Sequence, residues 1–219
     1  MSVGLSLRLC ALAAIFVGAL ATPALAQGTG CSVTVPRADQ VVPDDGSHDA
    51  TALSEAVRAA TNHERCRRGL APLSADATLI KAAARYSAEM AQRGFFAHRS
   101  PVTGRQTLRQ RANDAGIGNV TIAENLITGF FLAYKNGAQF SVIDAEECTF
   151  RDAKTGNIYD RLTYGTMGES LVTRWMDSPG HRDNILTPDL ARHGFGLAVD
   201  PDETALCGGN IGTQLFAGN

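Results

Sequence analysis

The sequence has little that points to nucleic acid, a nucleotide or a membrane as a partner. Its 20 Lys and Arg residues are balanced by 22 Asp and Glu, which leaves a net charge of −2 and no basic surface for a phosphate backbone. No glycine-rich phosphate loop follows a strand pattern, and beyond the N-terminal segment no apolar run reaches the ~20 residues of a membrane-spanning helix. These absences argue against nucleic-acid binding, nucleotide binding and a transmembrane segment in the mature chain.

Residues 1–26 predict a cleavable signal peptide. Arg8 precedes an apolar stretch at residues 9–20, and Ala24-Leu25-Ala26 places small residues where signal peptidase needs them, which predicts cleavage before Gln27. The stretch is too short for the alternative, a membrane anchor. A lipoprotein modified at Cys31 is a weaker alternative, because no aliphatic residue stands three positions before it. We therefore expect a secreted or periplasmic protein of roughly 190 residues.

The cysteines become even in number once the signal peptide is removed. Cys10 leaves with the signal, and Cys31, Cys66, Cys148 and Cys207 remain in an oxidising compartment. Their spacings lack the close C-x2–4-C pair of a zinc site. We predict two disulfides, and four cysteines leave three pairings open.

Helical patterns fill the first half of the chain and strand patterns the second. Residues 27–50 predict an extended lead-in, and residues 51–219 predict one domain. Apolar periodicity and caps predict helices at residues 51–68, from Asp76 to Gly94, at 104–115, and from a capping box at 166–169 to Pro179, with one more turn at 181–186. Alternation predicts strands at residues 121–126, 194–199 and 206–217. This order predicts an α+β sandwich with an antiparallel sheet.

Three polar residues beside apolar stretches are candidates for chemistry: His98, Glu124 and His181. Two imidazoles and a carboxylate form the ligand set of a catalytic zinc site, with one position open for water. Their spacings match no local zinc motif such as H-E-x-x-H. Residue types alone therefore favour an ordinary structural role over metal binding.

Six groups of motifs stand in order along residues 53–217. They are Asn62-His63-Glu64-Arg65 with Gly69-Leu70-Ala71-Pro72-Leu73, the helix residues Ala83-Ala84, Ser87 and Met90, Phe96-Ala97-His98, Ala123-Glu124-Asn125-Leu126, the segment from Trp175 to Leu186, and Gly194-Phe195-Gly196 with Thr213-Gln214-Leu215-Phe216. In this order the motifs resemble those of the CAP superfamily, the cysteine-rich secretory, antigen 5 and pathogenesis-related 1 proteins with an SCP domain, in its bacterial secreted branch.

The resemblance implies a three-layer α-β-α sandwich with a central, mainly antiparallel sheet. It also implies a broad cleft whose two histidines and two acidic residues hold zinc or another divalent cation in some relatives, although no cofactor is required. Here His98, Glu124 and His181 match three of those four positions. The two histidines are the expected metal ligands.

The fourth position departs from the family pattern. Ser178 stands where many relatives have an acid, and Asp177 and Glu169 are nearby but out of register. Because a missing carboxylate lowers the charge of a site and its affinity for a cation, this departure weakens the expectation of a metal. We expect Asn125, Trp175 and Ser178 to support the cleft.

A second departure is an insert at about residues 127–165, which contains two turn signals and predicts one or two hairpins. It carries Cys148 and six aromatic residues, Phe130, Phe131, Tyr134, Phe140, Phe150 and Tyr159. These aromatic residues either pack a hairpin against the sheet or form a surface for a partner or a lipid. The first of these interpretations is the more common use of such residues in strands.

Three functions fit these features. The first is an exported, non-catalytic protein that binds a small hydrophobic ligand, a divalent metal or an extracellular or envelope partner through its cleft. The second is a metal-dependent hydrolase of peptides or envelope material, with His98 and His181 as ligands and Glu124 as general base. The third is a buried network of these three residues that ties helices to the sheet. The sequence leaves the ligand and the oligomeric state open.

Overall fold

A computed structural model describes residues 31–135, 137–201 and 208–219, together with Met1. The predicted signal peptide, Cys207 and the predicted start of the last strand at residue 206 lie outside the described residues. The elements, in chain order, are α1 Ala50–Cys66, β1 Ser74–Ala75, α2 Ala77–Arg93, α3 Leu108–Asp114, β2 Ile122–Phe130, β3 Phe140–Asp144, β4 Thr149–Asp152, α4 Tyr164–Met176, α5 Pro179–Ile185, β5 Arg192–Val199 and β6 Gly209–Ala217.

The main sheet has four strands in the order β1-β5-β6-β2. β6 lies in the middle and is antiparallel to both β5 and β2, whereas the short β1 pairs with β5 in parallel. Every residue of β6 is buried, as expected for a strand covered on both faces. The prediction of an α+β fold with a mainly antiparallel sheet is confirmed.

Helices cover both faces of this sheet. Gly194 and Gly196 of β5 face α2, and a Cβ atom added at Gly196 would lie 2.1 Å from the backbone nitrogen of Ala84. Phe195, between them, faces the opposite side, where its ring packs edge-on against Trp175 of α4 at 6.1 Å between centroids. On that side the hydroxyl of Ser54 in α1 accepts from the backbone of Phe195. The three-layer α-β-α arrangement implied by the resemblance is therefore present.

The N-terminal lead-in is attached to the domain more firmly than its composition predicts. Cys31 forms a disulfide with Cys66 at the end of α1. Val42 is fully buried in the main core, and its backbone nitrogen donates to the carbonyl of Leu162. Asp49 then caps α1, its carboxylate accepting from two backbone N–H groups of the first turn.

Three helix starts differ from the prediction. α4 begins at Tyr164, with Thr163 rather than Thr166 as its N-cap, because the hydroxyl of Thr166 takes the reciprocal role that Glu or Gln normally plays in a capping box. α3 begins at Leu108 after a capping box of Thr107 and Gln110. Pro179 starts α5 instead of only ending α4, which suits its fixed φ and missing N–H.

The insert is shorter than predicted, because residues 127–130 continue β2 along β6 and Tyr164 already belongs to α4. Between them, β3 and β4 form a separate two-stranded antiparallel sheet. Cys148, in the turn between these strands, is disulfide-bonded. Among the described helices, none has the length and apolar character needed to cross a bilayer.

Candidate functional site

Glu124 and His98 form the centre of the candidate site. Glu124 lies on β2 with only 2% of its side chain exposed, and His98 lies in the loop after α2 with 60% exposed. Their side chains meet at 2.9 Å, between Nδ1 of His98 and Oε1 of Glu124. With the carboxylate ionised, Nδ1 donates to it and Nε2 is the ring nitrogen left for other contacts.

The second oxygen of Glu124 forms a salt bridge with Arg111, which was not among the residues predicted for the site. Nη2 of Arg111 donates to Oε2 of Glu124 at 2.6 Å, and its Nη1 donates to the carbonyl of His98 at 3.1 Å. The guanidinium also lies 3.6 Å from the ring centroid of Tyr86 on α2. A partner of this kind could have been predicted on physical grounds, because a carboxylate buried on a strand requires a charged or hydrogen-bonding partner.

His181 lies at the start of α5, half-buried beside the same region. Burial lowers the pKa of its imidazole, and the nearby charge of His98 lowers it further. The backbone carbonyl of His181, and not its ring, joins the polar network, since it accepts from Nδ2 of Asn125 at 3.2 Å. The predicted network of His98, Glu124 and His181 therefore forms only in part through side chains.

A row of amides connects α5 to the sheet below the site. Asn184 donates to the backbone carbonyl of Glu124 at 3.1 Å and to Oδ1 of Asn125 at 2.8 Å. Asn125, which is fully buried, donates in turn to Oε1 of Gln214 on β6 at 2.9 Å. Trp175 is also buried, and its indole N–H donates to the carbonyl of Leu126. Asn125 and Trp175 thus hold α5 and α4 against the strand that carries Glu124.

Ser178 and its acidic neighbours add no carboxylate to the site. Ser178 is the N-cap residue of α5, but its side chain makes no capping hydrogen bond. Asp177 is exposed at the end of α4, and Glu169 lines a different depression beside α1 and the lead-in.

The described residues supply few ligands for a divalent cation at this site. Within residues 31–135, 137–201 and 208–219, no three His, Cys, Asp or Glu side chains are grouped so that they could hold a metal ion. Both oxygens of Glu124 already have partners, and one of those partners is the permanently charged guanidinium of Arg111. Catalytic zinc sites use three protein ligands, and here only the two imidazoles are left to supply them.

An open depression of about 410 Å³ lies above this pair, and we call it the cleft. Its edge is polar, with His98, Arg99 and Asn184, and its apolar lining includes Leu108 and Ile122. Arg99 is exposed, and no described carboxylate pairs with it. With Glu124 paired to Arg111 and His98, Arg99 is the one permanent charge left without a carboxylate partner among the described residues that line the cleft.

Comparison with known proteins identifies the family. The family model of CAP, the cysteine-rich secretory protein family, matches residues 58–216. The chain belongs to the CAP family. The Bacillus subtilis (strain 168) protein YkwD is 28% identical over 196 residues, an alignment that covers 90% of this chain and 54% of YkwD. The chain thus spans about half the length of this CAP relative.

A solved structure supports the same fold. An extracellular protein containing an SCP domain, from Bacillus anthracis str. Ames, superposes with a TM-score of 0.53 at 22% identity. The superposition covers 82% of this chain and 44% of that protein. The Cys31–Cys66 disulfide fits a location outside the cytoplasm.

Proposed function

We propose that this CAP protein is exported and acts as a non-catalytic binding protein, whose cleft holds a polar, negatively charged component of the cell envelope or the extracellular space. The observation that carries the proposal is the pairing of buried Glu124 with both Arg111 and His98. This pairing neutralises the carboxylate and directs a second nitrogen of an exposed imidazole away from it. The export part rests on the predicted signal peptide and on the disulfide.

The same pairing argues against a metal-dependent hydrolase. A general base needs a carboxylate oxygen within reach of the water that it activates. In Glu124 one oxygen lies 2.9 Å from His98 and the other 2.6 Å from Arg111, and 2% of the side chain is exposed. Deprotonating a water at this carboxylate would require breaking a buried ion pair, which costs several kcal/mol.

The lining of the cleft favours an anionic polar ligand over a small hydrophobic one. Arg99 presents guanidinium N–H donors at its edge, whereas both N–H groups of Asn184 already donate to Glu124 and Asn125. Apolar contact is limited to a few side chains such as Leu108 and Ile122. Sugars and peptides of the envelope combine hydroxyl or carboxylate groups with small apolar faces, so a short segment of such a polymer suits both parts of this lining.

Cosedimentation with purified peptidoglycan sacculi tests the proposal. We expect saturable binding by the wild type, weakened about fivefold or more in H98A/R99Q, because the cationic donor of Arg99 and the imidazole beside it at the edge of the cleft are lost. The control is R67Q, which removes the exposed arginine at the C-cap of α1, outside the cleft, and should bind like the wild type. Equal binding by H98A/R99Q and R67Q, or no saturable binding by the wild type, would reject the cleft as the binding site.

A zinc titration by calorimetry tests the non-catalytic part. We expect wild type and H98A to give the same small or absent heat, because the site lacks three available ligands. A stoichiometric heat that disappears in H98A, together with zinc-dependent cleavage of sacculi or peptides, would favour the hydrolase instead.

A further inference from the structure

A second cavity lies in the insert, away from the cleft. Its walls come from the end of β2, the segment that follows it and the β3–β4 hairpin, and they consist mainly of Phe130, Leu132, Tyr134, Phe140, Phe150 and Tyr159. None of the residues that line it also lines the cleft. Phe130 stands six residues beyond Glu124 on β2, which separates the two places by about 20 Å along the strand.

The aromatic walls are held in place before any ligand arrives. Phe130 and Tyr134 pack edge to face at 5.7 Å between centroids, and so do Phe140 and Phe150 at 5.4 Å. Arg174 of α4 lies over the ring of Tyr134 and donates to the carbonyl of Thr128 at 2.7 Å. Preformed walls lower the entropy cost of binding, so this cavity is suited to a rigid ligand.

Part of this aromatic surface is open to solvent. Phe140 is 54% exposed and Phe130 is 39% exposed, although both belong to the lining of the cavity. A ligand that covers these rings removes apolar area from water, which is the main favourable contribution to binding at such a surface. The exposure therefore leaves binding energy available at the mouth of the cavity.

The size and charge of the cavity define the ligand class. Its volume of about 130 Å³ is close to the ~150 Å³ of an apolar cavity that takes up benzene, so it admits one aromatic ring or a short branched chain. Lys135 is the one charged residue among the described residues that line it. The only hydrogen bond of the Tyr159 hydroxyl among the described residues is made to Asp152.

We propose that the insert forms a second binding site, which takes a small aromatic or short branched-chain molecule bearing a carboxylate, with the ring against Phe130, Phe140 and Tyr134 and the carboxylate near Lys135. This site is independent of the function proposed for the cleft. It gives the insert a role that the fold itself does not require.

Benzoate, with benzyl alcohol as its neutral analogue, is the probe for this site. Binding is followed by chemical-shift changes of the backbone amides in the complete mature protein. We expect saturable shifts from benzoate at residues 130–160, with a Kd on the order of 1 mM for so small a ligand. In F140A the affinity should fall about tenfold, because one of the two exposed phenylalanine rings at the mouth is removed.

The matched control is F96A, since Phe96 is 49% exposed but does not line the cavity. We expect F96A and H98A/R99Q to bind benzoate like the wild type, so that failure of this site and failure of the cleft proposal give different results. K135Q should weaken benzoate about threefold and leave benzyl alcohol unchanged, which tests the charge without touching the aromatic walls.

Three results would overturn the proposal. These are absence of saturable shifts up to 20-fold above the expected Kd, shifts centred on the cleft residues, and equal affinities of wild type and F140A for benzoate.

Discussion

Arg111 and Glu124 form a buried ion pair at the position where the family pattern leads one to look for a metal site. Nη2 of Arg111 and Oε2 of Glu124 are 2.6 Å apart, and their side chains are only 5% and 2% exposed. The guanidinium supplies the positive charge that this buried carboxylate needs. The pair also orients His98, which contacts the other oxygen of Glu124.

Replacing Arg111 by Met should destabilise the protein by about 3–5 kcal/mol, because it leaves the charge of Glu124 buried and without its partner. The double variant R111M/E124Q should recover part of this loss, since the neutral amide tolerates burial better. Urea unfolding measures both. The control is R85M, which breaks the exposed pair of Arg85 and Asp114 and should cost less than about 1 kcal/mol. Equal losses of unfolding free energy in R111M and R85M would show that the buried pair stabilises the protein no more than the exposed pair does.

Gly196→Ala should destabilise the domain by about 3 kcal/mol or prevent soluble expression, because the added Cβ would meet backbone atoms of α2 at 2.1 and 2.3 Å. Gly118→Ala is the control, since nothing lies within 4 Å of its Cβ position, and it should change stability by less than about 0.5 kcal/mol. Adding Ala84→Gly should not rescue Gly196→Ala, because the clash involves the backbone. Rescue by this second change would contradict the close packing of α2 on β5.

Acid should destabilise the protein through His193. Burial, helped by the charge of Arg58, lowers the pKa of this imidazole from 6.5 to about 3, and its Nε2 faces the amide nitrogen of Gln214 at 3.1 Å. Between pH 6.5 and 3 the unfolded chain therefore binds a proton at this residue that the folded chain does not. Above pH 6.5 His193 is neutral in both states and its titration does not lower the free energy of unfolding. Below pH 6.5 the free energy of unfolding falls by about 1.4 kcal/mol per pH unit until about pH 3.

The variant H193Q removes this titration. We expect the slope of unfolding free energy against pH to decrease by one proton between pH 4 and 6, whatever the change in stability at neutral pH. The exposed His63→Gln serves as control and should keep the wild-type slope. An unchanged slope in H193Q would mean that His193 does not carry the acid sensitivity.

Removing the Cys31–Cys66 disulfide in C31A/C66A should lower the unfolding free energy by about 4 kcal/mol, the loop-entropy value for the sequence separation of 35 residues. Limited proteolysis should then cut within residues 31–49 well before the domain. Because the disulfide of Cys148 is kept in this variant, the loss of stability and the new cleavage can be assigned to the Cys31–Cys66 bond alone. Wild-type resistance of residues 31–49 would show that Val42 and the Asp49 cap hold the lead-in without the bond.

Local signals predicted the helices well where their caps follow common chemistry. Asp76 caps α2 as expected, and Gly94 ends it in the left-handed conformation that glycine adopts easily. The start of α4 was predicted three residues too late, because Thr166 and Glu169 have the residue types of a common capping box, whereas the box in the structure uses Thr163 and Thr166. The packing of α2 on β5 could not be predicted from such local signals. Gly194 and Gly196 are needed only because α2 lies directly against them.

The sequence predicted which residues meet at the candidate site, but it did not predict the salt bridge between Glu124 and Arg111. The motifs singled out His98 and Glu124, and the structure brings them together at 2.9 Å. Residue types could not show that Arg111, thirteen residues from Glu124 and on another element, takes the remaining oxygen. Whether a metal ion or a guanidinium lies beside Glu124 depends on tertiary contacts, which the spacing of residues in the sequence does not show.

The central place of β6 in the sheet affects the timing of folding. β2 and β5 are synthesised before the strand that joins them, and β2 is separated from β6 by a long stretch of chain. Until residues 209–217 are available, β2 lacks its partner in this sheet and β5 has only the two-residue β1, so the sheet cannot close. In the export that we propose, nearly the whole domain would cross the membrane before this last step of sheet assembly.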